Sequence, residues 1–323
     1  MLKRLFAAIP YLEVLVRIVY KDCMFRSKFW LKFIKKKRKA DKRKNFENIQ
    51  YTWGNVISYV RELGIGLGDI IIVHSDMKNL EKFKIPPNEI IDDLIQLVGE
   101  NGTVVMPAFP YYRENGNGRL KFDEYDEEVK EYDPQSTYAW TGMLPNVMCT
   151  YGNAVRSQFP KDSLVAIGAH ANQMMEHNIE GMYPHGSKSS WEYCAEHNAK
   201  ILWLGVSAAE SFSAVHLAED YLGDNFPIKG WYTTQRFRIK HGDQWIYKDI
   251  KVRKKFWTRY VTEYHSLHCL KKAGLFQENR VEDTLVGYVD NIRLIRDYML
   301  ERIQQRNLVF YQIPGKYWKS NKK

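Results

Sequence analysis

Cysteine is scarce and unpaired in this 323-residue chain: Cys23, Cys149, Cys194 and Cys269 stand far apart, with no C-x-x-C spacing. That excludes a disulfide framework and points to a reduced, cytoplasmic setting. Long apolar runs are missing as well. The first twenty residues are apolar but interrupted by Pro10, Glu13 and Arg17, too short and too broken for a spanning helix, and no A-x-A-like cleavage site follows. The dinucleotide glycine fingerprint is absent, because Gly64, Gly66 and Gly68 precede the first expected strand instead of following it. There is no internal repeat and no low-complexity linker. What is present, 45% hydrophobic and 14% aromatic residues, suffices for a real core, so the chain is globular.

Acidic residues are scarce in one place only. The net charge is +10, yet residues 1–44 hold 15 Lys/Arg against Glu13, Asp22 and Asp41, leaving 33 basic and 35 acidic residues for the rest. The body is therefore nearly neutral and the basicity belongs to an N-terminal arm. That arm mixes Leu5, Phe6, Tyr11, Phe25, Phe29, Trp30 and Phe33 with the run Lys35-Lys36-Lys37-Arg38-Lys39. Such a sequence suits a helix lying on an anionic membrane surface. A nucleic-acid arm and a solvated helical extension packed on the body are the competing readings; no nucleic-acid partner is expected. The economical division is an extension over 1–48 and one integrated body over 49–323, with the oligomeric state left open.

Within the body, the pattern predicts a helix over Thr52–Leu63, a buried strand over Ile70–His74 and a helix opening at Pro86-Pro87-Asn88. A second strand follows over Thr103–Met106. Residues 110–138 read as a long surface loop or lid. Short helices are expected over Thr141–Cys149, from near Gly168 and over Trp191–His197. A strand over Ile201–Val206 comes next, then a hairpin over 231–253 turning at His241-Gly242-Asp243. A long amphipathic helix over Thr284–Gln305 and a short strand over Leu308–Gln312 close the chain. This order argues for an α/β fold, a three-layer α/β/α arrangement with a mixed central sheet plus the basic amphipathic extension.

The most informative segment is ILWLGVSAAESFSAVHLAED, Ile201 to Asp220: a strand that stops at a small-residue turn and restarts as a helix. Strand ends in α/β sheets are where clefts open, and Gly, Ser and Ala let a ligand approach the backbone. Ser211 or Ser213 can cap that helix. His216 and Glu219, at i and i+3, share a face, so an imidazole oriented by a carboxylate is a candidate general base. A half-buried histidine bonded to a backbone carbonyl is the competing reading. His265-Ser266-Leu267-His268-Cys269 lacks a second cluster to complete a zinc site, so no metal is expected. Ten Lys/Arg between 229 and 260 form either a phosphate-binding patch or a solvated hairpin face.

Taken in order, VHSDMKNL, GTVVMPAF, TGMLPNVM, RSQFPKDSLVAIGAHA, the Gly186-Ser187 segment, ILWLGV…HLAED and TLVGYVDNIRLIRDYML resemble the aminoglycoside 3-N-acetyltransferase family over residues 52–315. The resemblance implies transfer of an acetyl group from acetyl-CoA to an amine of an amino sugar, with His216 as general base, Glu219 orienting it and Glu263 as a further acidic residue. It implies donor contacts at His74, Ser75, Asp76 and Met77, whose backbone amides would meet the thioester or pantetheine, and at Ser187 and Lys188. Acceptor contacts are expected at Asn146, Arg156 and Phe159. Relatives usually carry His-Pro where this chain has Phe159-Pro160, a glutamate at Asn146, and a proline at Lys188. A pocket short of carboxylates is a poor host for polycations. The acceptor expected on this reasoning is a nucleotide-linked amino sugar for O-antigen or capsule synthesis, at the inner face of the membrane. The alternatives are an aminoglycoside acetyltransferase conferring antibiotic resistance and a non-catalytic, membrane-associated CoA-binding scaffold.

Overall fold

The computed structural model describes residues 2–19, 50–112 and 128–320. The strands are β1 (Ile70–Ser75), β2 (Thr103–Pro107), β3 (Lys130–Tyr132), β4 (Val155–Arg156), β5 (Leu164–Gly168), β6 (Lys200–Leu204), β7 (Tyr232–His241), β8 (Gln244–Arg253), β9 (Gln277–Val281) and β10 (Thr284–Val289). Seven of them form a sheet in the order β4-β5-β2-β1-β6-β10-β9. Its centre, β2-β1-β6, is parallel, and antiparallel pairs flank it on both sides.

The near-continuous apolar runs of the central strands follow from burial on both faces. Ile70, Ile72, Val105, Ile201 and Trp203 point into one core; Ile71, Val73, Val104, Met106, Leu202 and Leu204 point into the other. The second core is covered by helices Trp53–Glu62, Pro87–Val98 and Met143–Met148. The first is covered by Ser190–Glu196, Leu217–Leu222, Glu263–Lys272 and Ile292–Gln304. The three-layer α/β/α arrangement with a mixed central sheet is thus present.

A small second sheet, β3-β7-β8, closes over Tyr132, Phe159, Phe237, Ile239, Ile250 and Val252. Part of the expected lid, Lys130–Tyr132, pairs in parallel with Phe237–Ile239. Two expectations fail at the C-terminal end. Thr284–Val289 is a strand, and the helix begins only at Ile292, where Asn291 caps it by accepting from Arg293 N. Leu308–Gln312 is not a strand; among the described residues it makes one isolated bridge, Val261 to Tyr311. Strand β5 lies in a stretch to which the sequence reading assigned no element, ahead of the helix Ala171–Met175.

Of the N-terminal arm, helices Leu2–Ala8 and Pro10–Ile18 pack on the body through Phe6 and Val14. The basic run Lys35–Lys39 and its aromatic neighbours lie outside the described residues. No helix among the described residues is long and apolar enough to cross a membrane.

Candidate active site

Strand β6 ends at Leu204, and Gly205 follows at φ +72, where a side chain would be strained. Its carbonyl accepts from Asn79 Nδ2 at 2.6 Å, tying the end of β6 to the short helix Met77–Leu80 after β1. The helix expected through His216 and Glu219 is broken. Ser207, not Ser211 or Ser213, caps the short helix Ala208–Ser211 by accepting from Ala209 N at 3.3 Å. The chain then leaves helical geometry at Phe212 and re-forms as a 3₁₀ turn, Ser213–His216, followed by the helix Leu217–Leu222.

That break turns His216 onto Glu219. Nδ1 of the imidazole lies 3.0 Å from Oε1 of the carboxylate. Glu219 is 4% exposed, and its Oε2 accepts from Trp231 Nε1 at 3.3 Å. Burial pushes the Glu219 carboxyl up, but the His216 ring and the Arg253 guanidinium outweigh it and hold the group below the usual carboxylate range. For His216, burial and then Arg253 lower the imidazole pKa, and Glu219 only partly restores it. The ring is therefore neutral near pH 7, while its side chain keeps 17% of its surface accessible.

Sequence reasoning missed three neighbours. Arg253, at the end of β8, places Nη1 2.7 Å from Nδ1 and 2.9 Å from Nε2 of His216 and donates to the Tyr311 hydroxyl. His185 sits with its ring centroid 5.6 Å from that of His216, and its Nδ1 is 3.4 Å from Asp220 Oδ2. Two adjacent carboxylates on one helix thus each face an imidazole. Other cations of the hairpin are spent on surface pairs, Arg236 with Asp249, Arg238 with Glu131 and Lys251 with Asp224.

A cleft of about 380 Å³ opens at the carboxyl ends of β1 and β6. His74, Ser75, Asp76, Met77, Pro107, Phe109, Trp140, Gly142, Val206 and Glu210 line it, and it reaches Ser213 at the start of the turn that ends in His216. His74 stacks on Trp203 (centroids 5.4 Å apart, planes at 9°), and burial holds its pKa down at about 3. Asp76 caps the helix Met77–Leu80, and its own N–H is committed to Leu204 O at 3.1 Å. That amide is therefore not a donor for a thioester oxygen.

The other expected residues are placed elsewhere. Asn146 accepts from Ala139 N and donates to the carbonyls of Ala139 and Gly142. Arg156 donates to the carbonyls of Thr137 and Ala108. Phe159 is buried beneath the small sheet. None of the three lines the cleft. Ser187 and Lys188 are exposed, two and three residues beyond His185, and Lys188 pairs with Glu180. Glu263 stands apart from His216, in an ion pair with Arg17 at 2.9 Å. His265 meets Ala7 O at 2.9 Å, and no cluster among the described residues could hold a metal ion.

A family model described as aminoglycoside 3-N-acetyltransferase matches residues 72–296. The chain belongs to this family. Aminoglycoside N(3)-acetyltransferase III from Salmonella sp is 30% identical over 179 residues, 54% of this chain and 61% of that protein. Aminoglycoside N(3)-acetyltransferase VIII from Streptomyces fradiae is 28% identical over 182 residues, 52% of this chain and 60% of its own length. The chain thus spans about three fifths of the curated relatives it matches. In fold it is similar to the apoenzyme of aminoglycoside acetyltransferase AAC(3)-IVa (TM-score 0.63, 21% identity, 84% of this chain and 96% of that one). It is also similar to AAC-IIIb in binary complex with CoASH (TM-score 0.62, 21% identity, 82% and 100%).

Family membership overturns the expectation of a nucleotide-linked amino sugar. The matching model and both curated relatives are aminoglycoside acetyltransferases. Asn146 and Phe159 do not line the cleft at the ends of β1 and β6, whereas Asp76 and Glu210 do.

Proposed function

We propose that this family member is an acetyl-CoA-dependent aminoglycoside 3-N-acetyltransferase, with His216 as general base and Glu219 as its orienting carboxylate. The observation that carries the reading is the His216–Glu219 pair, 3.0 Å apart, within the segment matched by the family model. The cleft suits the donor. Met77, Phe109, Trp140 and Val206 offer apolar walls for a flexible chain, and Asp76 and Glu210 supply negative charge on the side an ammonium-rich acceptor would approach. Acetyl-CoA supplies the activated acyl group.

The chain's own residues handle the proton. An amine attacking a carbonyl must lose one, and a neutral imidazole whose Nδ1 faces Glu219 can take it at Nε2. Glu219, accepting at Nδ1, stabilises the imidazolium that results. His74, buried at the cleft wall, stays neutral throughout and adds no charge there. The C–N bond forms as the C–S bond breaks, and direct transfer needs no covalent enzyme intermediate. Cys194, whose thiol burial pushes above its ordinary pKa, is not a nucleophile.

The test is release of free CoA from acetyl-CoA in the presence of gentamicin or kanamycin, with mass spectrometry of the product. The expected result is a singly acetylated aminoglycoside and its disappearance in His216→Ala. Absence of turnover across a panel of aminoglycosides overturns the reading.

One further observation favours a peripheral membrane contact by the arm. Leu5, Ile9, Tyr11, Leu15, Val16 and Val19 remain exposed, and residues 20–44 supply 12 Lys/Arg. Co-sedimentation with anionic vesicles, lost when residues 1–44 are deleted, is the expected result; equal sedimentation of the truncated protein overturns it.

A further inference from the structure

The helix Pro10–Ile18 is amphipathic in the inverse sense. Its two charged residues, Glu13 and Arg17, turn toward the body, while Tyr11, Leu15 and Val16, with Val19 just beyond, face outward. Glu13 is 3% exposed and Tyr11 71%. We infer that the docked arm is a two-faced joint: its charged side is clamped to the body while its apolar side enters an anionic lipid surface, so that the body is held at the membrane in one attitude instead of swinging on a tether. The inference deepens the peripheral contact proposed above and rests on it; it does not depend on acetyl transfer.

Three polar contacts fix the inner side. Glu13 Oε1 accepts from Glu263 N at 2.9 Å, and Arg17 Nη2 lies 2.9 Å from Glu263 Oε2. Ala7 O, near the end of the first helix, accepts from His265 Nδ1 at 2.9 Å. Phe6 and Val14 are buried, and the Phe6 ring centroid is 6.0 Å from that of Tyr264. Glu263, Tyr264 and His265 all belong to the first turn of the helix Glu263–Lys272. That helix packs against Ala208–Ser211, which carries Glu210 of the cleft. Contacts within the body therefore set the angle between the arm and the cleft.

The outer side calls for an apolar partner. Tyr11, Leu15 and Val19 follow one another at i, i+4 and i+8, so they form a single column with Val16 beside it. Leu5 and Ile9 are exposed ahead of it. An amphipathic helix on a water-soluble body turns its apolar stripe to the core; here burial of the outer stripe is left to something else. Charge decides what that is. Residues 20–44, which follow directly on Val19, hold 12 Lys/Arg against Asp22 and Asp41, together with Phe25, Phe29, Trp30 and Phe33. Two copies meeting at this face would bring like charges together, whereas an anionic bilayer attracts them and takes up the aromatic rings at its interface.

Hydrogen exchange of the full chain, free and bound to vesicles of phosphatidylcholine and phosphatidylglycerol, tests the joint. The amides of Glu263 and Tyr264 should keep their protection on the vesicles, while those of residues 11–19 gain some. A double variant, Leu15→Glu with Val19→Glu, alters only exposed positions and keeps the basic run. It should bind the vesicles at least tenfold more weakly, with unchanged exchange at Glu263. Faster exchange at Glu263 on vesicles would mean that the arm leaves the body, and overturns the inference. Equal binding by the double variant would make the basic run a simple tether, and overturns it too, although the peripheral contact itself would stand. A chain that is dimeric without vesicles and monomeric as the double variant assigns the face to a second copy and overturns the lipid partner. If the unmutated chain does not bind the vesicles at all, the peripheral contact fails and the joint with it.

Discussion

The carboxylate of Glu13 caps a helix that begins at Glu263: its Oε1 lies 2.9 Å from Glu263 N. Thr262, the residue in the N-cap position, makes no capping bond, its hydroxyl donating to Val309 O instead, so the first turn of Glu263–Lys272 borrows its acceptor from the N-terminal arm. Arg17 completes the joint, 3.3 Å from Glu13 and 2.9 Å from Glu263. Burial raises the Glu13 carboxyl pKa and Arg17 partly offsets it.

Glu13→Ala should therefore undock the first two helices while leaving the sheet intact. Loss of a capping acceptor costs about 1 kcal/mol, and half-buried Arg17 keeps its second partner, Glu263. Hydrogen exchange at the amides of Glu263 and Tyr264 is the direct measurement. Faster exchange there, with unchanged protection in β1 and β6, is expected; unaltered exchange at Glu263 would show that the cap contributes nothing.

Glu219→Gln keeps an acceptor beside His216 but removes the negative charge. Since Glu219 raises the His216 pKa, the variant should lower it further. The acid limb of kcat/KM then moves to lower pH, and kcat falls by about tenfold to a hundredfold, because the imidazolium formed during transfer loses its counter-charge. KM for acetyl-CoA should barely change. An acid limb that moves upward would show that Glu219 is not the group facing the ring.

The burial of β1, β2 and β6 on both faces was legible because uninterrupted Ile, Val and Leu runs bounded by turns have few other homes than a doubly covered sheet. Thr284–Val289 was not. Its apolar spacing fits a helix as well as a strand, and the deciding feature is tertiary: Gly287 lets β10 pass Trp203 and Phe276, where a Cβ would stand 3.3 Å from each. His216 and Glu219 were legible from i,i+3 spacing, although the helix assumed to carry them is broken at Phe212. Arg253 was hidden among ten basic residues, since nothing in a charge-rich hairpin marks which cation turns inward. Asn146 and Phe159 read as pocket residues only while the loop and small sheet that absorb them were out of sight.

His74 gives a prediction about acid stability. Its folded pKa, about 3, lies below the ordinary value near 6.5, so the unfolded chain binds the extra proton throughout that interval. Stability on this account is complete above pH 6.5 and is lost as pH falls toward 3. Between pH 7 and pH 5 the loss is about 2 kcal/mol at 1.36 kcal/mol per unit. In His74→Gln the urea-derived stability should drop by about 2 kcal/mol less over that range than in the unmutated protein. An equal drop in both would mean the buried ring does not titrate as placed.

Asn146 offers a test of how the cleft wall is held. Its amide nitrogen donates at 2.7 Å to both Ala139 O and Gly142 O, and its oxygen accepts from Ala139 N at 2.9 Å. These bonds brace the segment that brings Trp140, Thr141 and Gly142 to the cleft. Asn146→Asp preserves size and the accepting oxygen but sets a carboxylate against two carbonyls. Two lost donations beside partly buried acceptors should cost about 2–3 kcal/mol, read from urea denaturation. If the segment shapes the donor site, KM for acetyl-CoA rises severalfold while the pH profile set by His216 stays where it was. A stability loss of that size with an unchanged KM would remove Trp140 and its neighbours from the donor site and leave Asn146 a purely structural brace.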